Sequence, residues 1–205
     1  MTTLRTISAF KSKLAGGGAR PNLFEVEIPA FPEAISAEVW KNSEGPDLFK
    51  FMCKSAQLPA SNIAEIPIPF RGRVLKVAGD RTFDPWSVTI INDENFLLRN
   101  AFEAWMQLIS SNGTNTGATQ PTSYMKDAHV HQLGRGAENG PSSTVSSNSV
   151  NGSEIKPLKS YTFYDIFPTS ISAIDLSYDS SDTIEEFTVD FQVQYWEPGI
   201  YGKDG

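Results

Sequence analysis

A chain of 205 residues, 40% hydrophobic and 11% aromatic, can bury one sizeable core and reads as a single domain over 1–205. Its formal charge of −7, from 17 basic and 24 acidic residues, argues against tight sequence-independent nucleic-acid binding, which needs cations to neutralise phosphates. The single cysteine, Cys53, rules out an internal disulfide. No apolar run approaches the roughly 18–20 residues of a membrane-crossing helix, so no direct membrane insertion is expected.

Thirteen Phe, six Tyr and four Trp, with 13 Pro and 15 Gly, favour short strands and turns over long helices. At the start, Leu4, Ile7 and Phe10 alternate with Arg5, Lys11 and Lys13, and Gly16, Gly17 and Gly18 break the segment. No signal peptide is read there, and 1–20 is expected to be flexible. Residues 22–28 alternate, with Phe24, Val26 and Ile28 inward and Glu25 and Glu27 outward, as in a half-buried strand. Residues 29–47 mix Pro, Gly, Ser and charge around Trp40 and predict a loop or an insertion. Alternation over 48–57 predicts a second strand, with Phe49, Phe51 and Cys53 facing the core.

From Ile63 to Val77 the pattern predicts a long hairpin turning at Arg71, Gly72 and Arg73. Pro67 and Pro69 each lack a backbone N–H, so this arm belongs at an edge or projects from the body. Trp86, Val88 and Ile90 make a further strand, after which Asn92, Asp93 and Glu94 offer a helix N-cap. Leu98, Phe102, Trp105, Leu108 and Ile109 then share one helical face, and burying them contributes on the order of 10 kcal/mol before entropy. Residues 111–120 and 134–156 are polar stretches that predict loops, separated by a strand over 125–133. A strand over 159–167 sets Tyr161, Phe163 and Asp165 opposite Thr162, Tyr164 and Ile166. The last predicted hairpin pairs Ile174, Leu176 and Tyr178 with the alternating set Phe187, Val189, Phe191, Val193 and Tyr195. The fold expected is mainly β, a β-sandwich or partly closed barrel of two packed antiparallel sheets, one flanking helix and a projecting hairpin.

Catalytic motifs are not found: no nucleophile elbow, P-loop, zinc-finger spacing or dinucleotide fingerprint occurs. His129 and His131, at i and i+2 with Asp127 on the same face, are the best metal-ligand pattern. Exposed histidines on a soluble strand are the commoner explanation, and no metal, cofactor or catalytic residue is assigned. Glu25, Glu27, Glu186 and Asp190 read as solvated faces of amphipathic strands, leaving a small β-fold hydrolase as a remote alternative.

The segment VAGDRTFDPW at 77–86, running on into SVTIINDE at 87–94, resembles the tail tube proteins of contractile-tailed bacteriophages. The resemblance extends to ARPNLF at 19–24, CKSAQLP at 53–59, Phe167-Pro168 and the ending Tyr195-Trp196-Glu197. It implies a structural virion protein, not an enzyme, that forms hexameric rings stacked into a tube inside a sheath. Tail sheath protein, a baseplate or tube initiator, and a tape measure protein and then DNA in the lumen are the partners so implied. A tube subunit of type VI secretion or another contractile injection system is the alternative. Stretches 33–47 and 134–153 are longer than expected for the family and are assigned to the outside or to a ring contact. The hairpin tip is expected to meet a neighbouring subunit, with Arg71, Gly72, Arg73, Lys76, Asp80 and Arg81 as candidate interface residues. These polar groups are also explained as keeping an exposed turn soluble, with Asp80 and Arg81 pairing or capping a turn.

Overall fold

The computed structural model describes residues 6–14, 18–40, 45–134, 157–179 and 181–199. The 134–153 stretch lies outside these, apart from its first residue. A short helix α1 (Ile7–Lys13), capped by the Thr6 hydroxyl, has no buried residue. There follow β1 (Phe24–Glu27), α2 (Glu33–Glu38), α3 (Gly45–Met52), β2 (Cys53–Ala56), β3 (Ser61–Phe70), β4 (Arg73–Phe83) and β5 (Trp86–Ile91). The second half holds α4 (Leu97–Ile109), α5 (Pro121–Tyr124), β6 (Lys126–Leu133), β7 (Pro157–Ile171), β8 (Glu186–Gln192) and β9 (Tyr195–Gly199). Among the described residues no helix is long and apolar enough to cross a membrane.

Among the described residues seven strands join in the antiparallel order β1-β6-β7-β8-β5-β2, with β9 added to β7, while β3 and β4 pair only with each other. The long strand β7 belongs to both halves of the large sheet: its first part pairs with β6 and β9, its last part with β8. Asp165, at φ 54°, marks the change-over, beside a register shift against β6. This bulge corrects the expected alternation, because the extra residue lets Phe163 and Ile166 both turn inward. The sheet bends there, bringing Trp86 of β5 onto Phe163 with ring centroids 4.6 Å apart. Strands β1 and β2, at opposite ends of the path, come near one another without pairing, so the barrel is only partly closed.

Between the sheet and the helices lies one continuous core. Along α4, Leu98, Ala101, Phe102 and Trp105 are fully buried, as the helical period requires. The helix begins later than expected, at Leu97, because Phe96 takes a left-handed conformation. Asp93 reaches forward instead, its carboxylate accepting the Leu97 N–H at 3.2 Å.

The described residues of 33–47 do not stand apart from the core. Phe31, Ile35 and Trp40 are buried, and Phe31 packs edge-on against Phe49, Phe102 and Trp105. Nor do residues 48–57 form one strand. They divide into α3 and β2, so that Phe49 is buried while Phe51, most of a half-turn away around the helix, is 81% exposed. Residues 174–178 are also not a strand: the hairpin partner of β8 is the end of β7, with Ile171 opposite Val189. The described residues between them, 172–179 and 181–185, form no strand and expose Leu176 and Tyr178.

Candidate assembly interface

The β3–β4 hairpin reverses through Arg71 and Gly72, both with positive φ (45° and 81°), the two-residue turn whose twist matches paired strands. Gly72 adopts this conformation without strain, and an added Cβ would be strained whatever the open space around it. Register then sorts the side chains. Ile66 opposite Val77, Ile68 opposite Leu75 and Phe70 opposite Arg73 lie on one face, while Glu65, Pro67, Lys76, Pro69 and Val74 lie on the other.

One face of the ribbon is therefore apolar and open to water, with Phe70 67% and Leu75 60% exposed. On the opposite face Lys76 bonds Glu65 at 2.7 Å, an exposed pair of the kind worth about 0–1 kcal/mol. Lys76 thus has a partner within its own hairpin. At the tip, Arg71 lies over the Phe70 ring at 5.6 Å, and Arg73 opens β4. Asp80 and Arg81 sit far from the tip in β4, where a register shift places Gly79 and Asp80 opposite Ala64. They do not cap a turn, and among the described residues no ion pair joins them.

The hairpin base is held by contacts that sequence reading did not predict. The Trp86 indole N–H donates to the Gln57 carbonyl at 3.0 Å, and that of Trp196 to the Ala60 carbonyl at 3.2 Å. Phe83 meets Trp196 edge-on, and the Asn62 amide donates to both Asp84 oxygens at 3.0 and 3.1 Å. Segments 53–59, 77–86 and 195–197, far apart in the chain, converge at this base. Two tryptophans at strand ends, each with an indole N–H in need of an acceptor, were the available signal. Trp196→Phe keeps the ring contact and loses the donor. The expected result is a stability loss of about 1 kcal/mol by urea titration, with the hairpin amides 61–83 exchanging hydrogen faster.

The histidine pair lies on the polar face of β6. Their rings stack at 6.1 Å, and each Nδ1 meets a hydroxyl of β7, His129 that of Thr162 at 3.2 Å and His131 that of Ser160 at 2.8 Å. Asp127 is engaged elsewhere, accepting the Asp165 N–H at 3.1 Å. Among the described residues no three His, Cys, Asp or Glu side chains gather as a metal would require. Burial lowers the His131 pKa, as does the neighbouring His129, against the opposing fields of Glu25 and Glu27; Lys50 adds to the lowering. A histidine whose folded pKa lies below its unfolded value of 6.5 confers stability above that value that is lost as pH falls through the folded pKa. Stability should therefore drop from pH 7 to pH 5, and His131→Gln should flatten that slope in denaturant titrations.

The burial of Cys53 pushes its thiol up to about 12, which leaves it unreactive at neutral pH. The uncovered apolar face of the ribbon points to association.

The phage tail tube protein family model matches residues 19–198. The chain is 35% identical to tail tube protein gp19 of Enterobacteria phage T4, over 92% of this chain and 95% of that one. This chain belongs to the phage tail tube protein family. A tail tube protein of Serratia phage KSP90 is 24% identical over 92% of this chain and 94% of its own. The fold also matches a chain of the anti-feeding prophage baseplate, at TM-score 0.58 and 12% identity, covering 89% of this chain and 95% of that one. A chain of the anti-feeding prophage cap aligns with TM-score 0.56 and 14% identity, over 89% and 91% of the two chains. As a tail tube subunit the protein is a structural component of the virion, and its role is not catalytic.

Proposed function

We propose that the subunit closes into hexameric rings, that the rings stack into the inner tube of a contractile tail, and that the hairpin is the principal contact between copies. The supporting observation is the β3–β4 ribbon: two strands that, among the described residues, pair only with each other, with five apolar side chains on one uncovered face. An isolated two-stranded ribbon is marginal in water, and an apolar face of this kind is a liability until another surface covers it. The free edges of β1 and β2 offer further pairing sites.

Within such a tube the polar sheet face, with Glu25, Glu27 and Asp190, suits a conduit lining. Carboxylates repel phosphates, so DNA slides past. Asp190 is held ionised by hydrogen bonds from Ser87 and Ser170, which lower its pKa. The sheath, the baseplate initiator and the tape measure protein complete the assembly on this reading. Identity to phage tail tube proteins favours a DNA conduit over a secretion tube.

Electron microscopy of the purified protein across concentration and salt, combined with sedimentation, tests this. Hollow rings or tubes are expected. A compact monomer at all concentrations, including with baseplates added as seeds, overturns it.

A further inference from the structure

The hairpin tip needs an acceptor, and the same chain carries a surface with complementary chemistry. Between β7 and β8, residues 172–179 and 181–185 contain no strand; Ile174 packs against the core, while Leu176 is 81% and Ile184 72% exposed. This segment frames an open groove of about 430 Å³ lined by Asp175, Leu176, Ser177, Tyr178, Thr183 and Glu185. Across 172–185 the sequence has Asp175, Asp179, Asp182 and Glu185 and not one Lys, Arg or His. The hairpin tip has the opposite composition: 70–76 reads FRGRVLK, with no carboxylate and with Arg71 and Arg73 beside a Lys76 that Glu65 already pairs.

Resting on the tube reading above, we infer that the hairpin tip of one copy docks on the loop 172–185 of a second copy. Phe70 and Leu75 supply the apolar contact to Leu176, Tyr178 and Ile184, and Arg71 and Arg73 meet the carboxylates at the groove rim. Both surfaces are exposed within the same chain, so neither covers the other there. Strands of ten and eleven residues carry the tip about 30 Å from its base, enough to reach a neighbour. Tip and groove are different surfaces, so the contact is head-to-tail. Such a contact repeats indefinitely, as a closed ring or a stack requires, whereas a self-complementary patch stops at a dimer.

Charge exchange tests the pairing. Arg71→Glu with Arg73→Glu should lower tube yield at least tenfold, as should Asp175→Arg with Asp179→Arg. Combining all four should restore yield to within about threefold of the wild type. A second measurement serves where the fourfold variant does not fold. Chains carrying Val74→Cys and chains carrying Ser177→Cys are mixed, assembled and oxidised at pH 8, where Cys53 stays protonated. A disulfide-linked pair containing one chain of each kind is expected. Wild-type tubes with loop variants assembling normally and no mixed pair overturn this inference and leave the tube reading standing. No tubes from the wild type, seeded or not, overturn the tube reading first.

Discussion

Replacing residues 62–82 by Asn-Gly should yield a chain that folds normally and forms no tubes. Ser61 and Phe83 are register partners, so a two-residue turn closes the gap they leave. No side chain between them belongs to the core or packs against it. The stability cost is therefore small, within about 1 kcal/mol, while the apolar face and both tip arginines are removed together. Circular dichroism and urea titration report the fold; sedimentation and microscopy report assembly. Tubes at wild-type yield would show that the ribbon is not the contact. A chain that fails to fold would show that the ribbon supports the core in a way its exposure conceals.

Phe102→Ala should cost about 3–5 kcal/mol, the usual range for emptying a fully buried aromatic site. Phe102 has no exposed surface and touches rings on every side: Phe31, Phe49, Trp105, Phe187 and Phe191. These neighbours come from the 29–32 segment, α3, α4 and β8, so the cavity opens where helices and sheet meet. It resists collapse because α4 is fixed on both sides, by the Asp93 cap at its start and by the Trp105 indole N–H donating to the Tyr124 carbonyl at 2.8 Å. Against a total stability of about 5–15 kcal/mol for an ordinary domain, such a loss is severe. Urea or thermal unfolding measures it, and a change below about 1.5 kcal/mol would mean that the aromatic cluster repacks.

Where burial is one-sided and the segment is long, the sequence was readable. Trp86, Val88 and Ile90 in β5, the alternation in β8 and the stripe on α4 each have a single period that the structure keeps. The segment holding Phe49, Phe51 and Cys53 is too short to separate a period of 2 from one of 3.6, and its neighbours decided for a helix. Residues 33–40 look like a loop because few apolar residues anchor them, Ile35, Val39 and Trp40, and their burial depends on Phe31 and α4, which no local pattern reveals. Leu176 and Tyr178 alternate as in a strand, yet β7 runs on to Ile171 and takes the pairing with β8. Of the candidate interface, the turn at Arg71 and Gly72 was legible from its chemistry. The base clamps were not, since Trp196 and Ala60 meet only through the fold.

The pairing order of the strands also sets a timetable for synthesis. The hairpin joins neighbouring residues and closes within about 1–10 μs of leaving the ribosome. The barrel cannot close so soon, because β5 lies between β2 and β8, and β8 runs to Gln192. At about 5–20 residues per second, roughly 5–20 s separate the end of β4 from the end of β8. Throughout that interval the nascent chain carries its sticky ribbon without the body that later positions it. Premature polymerisation on the ribosome is limited because the proposed receptor loop, 172–185, is also among the last segments made.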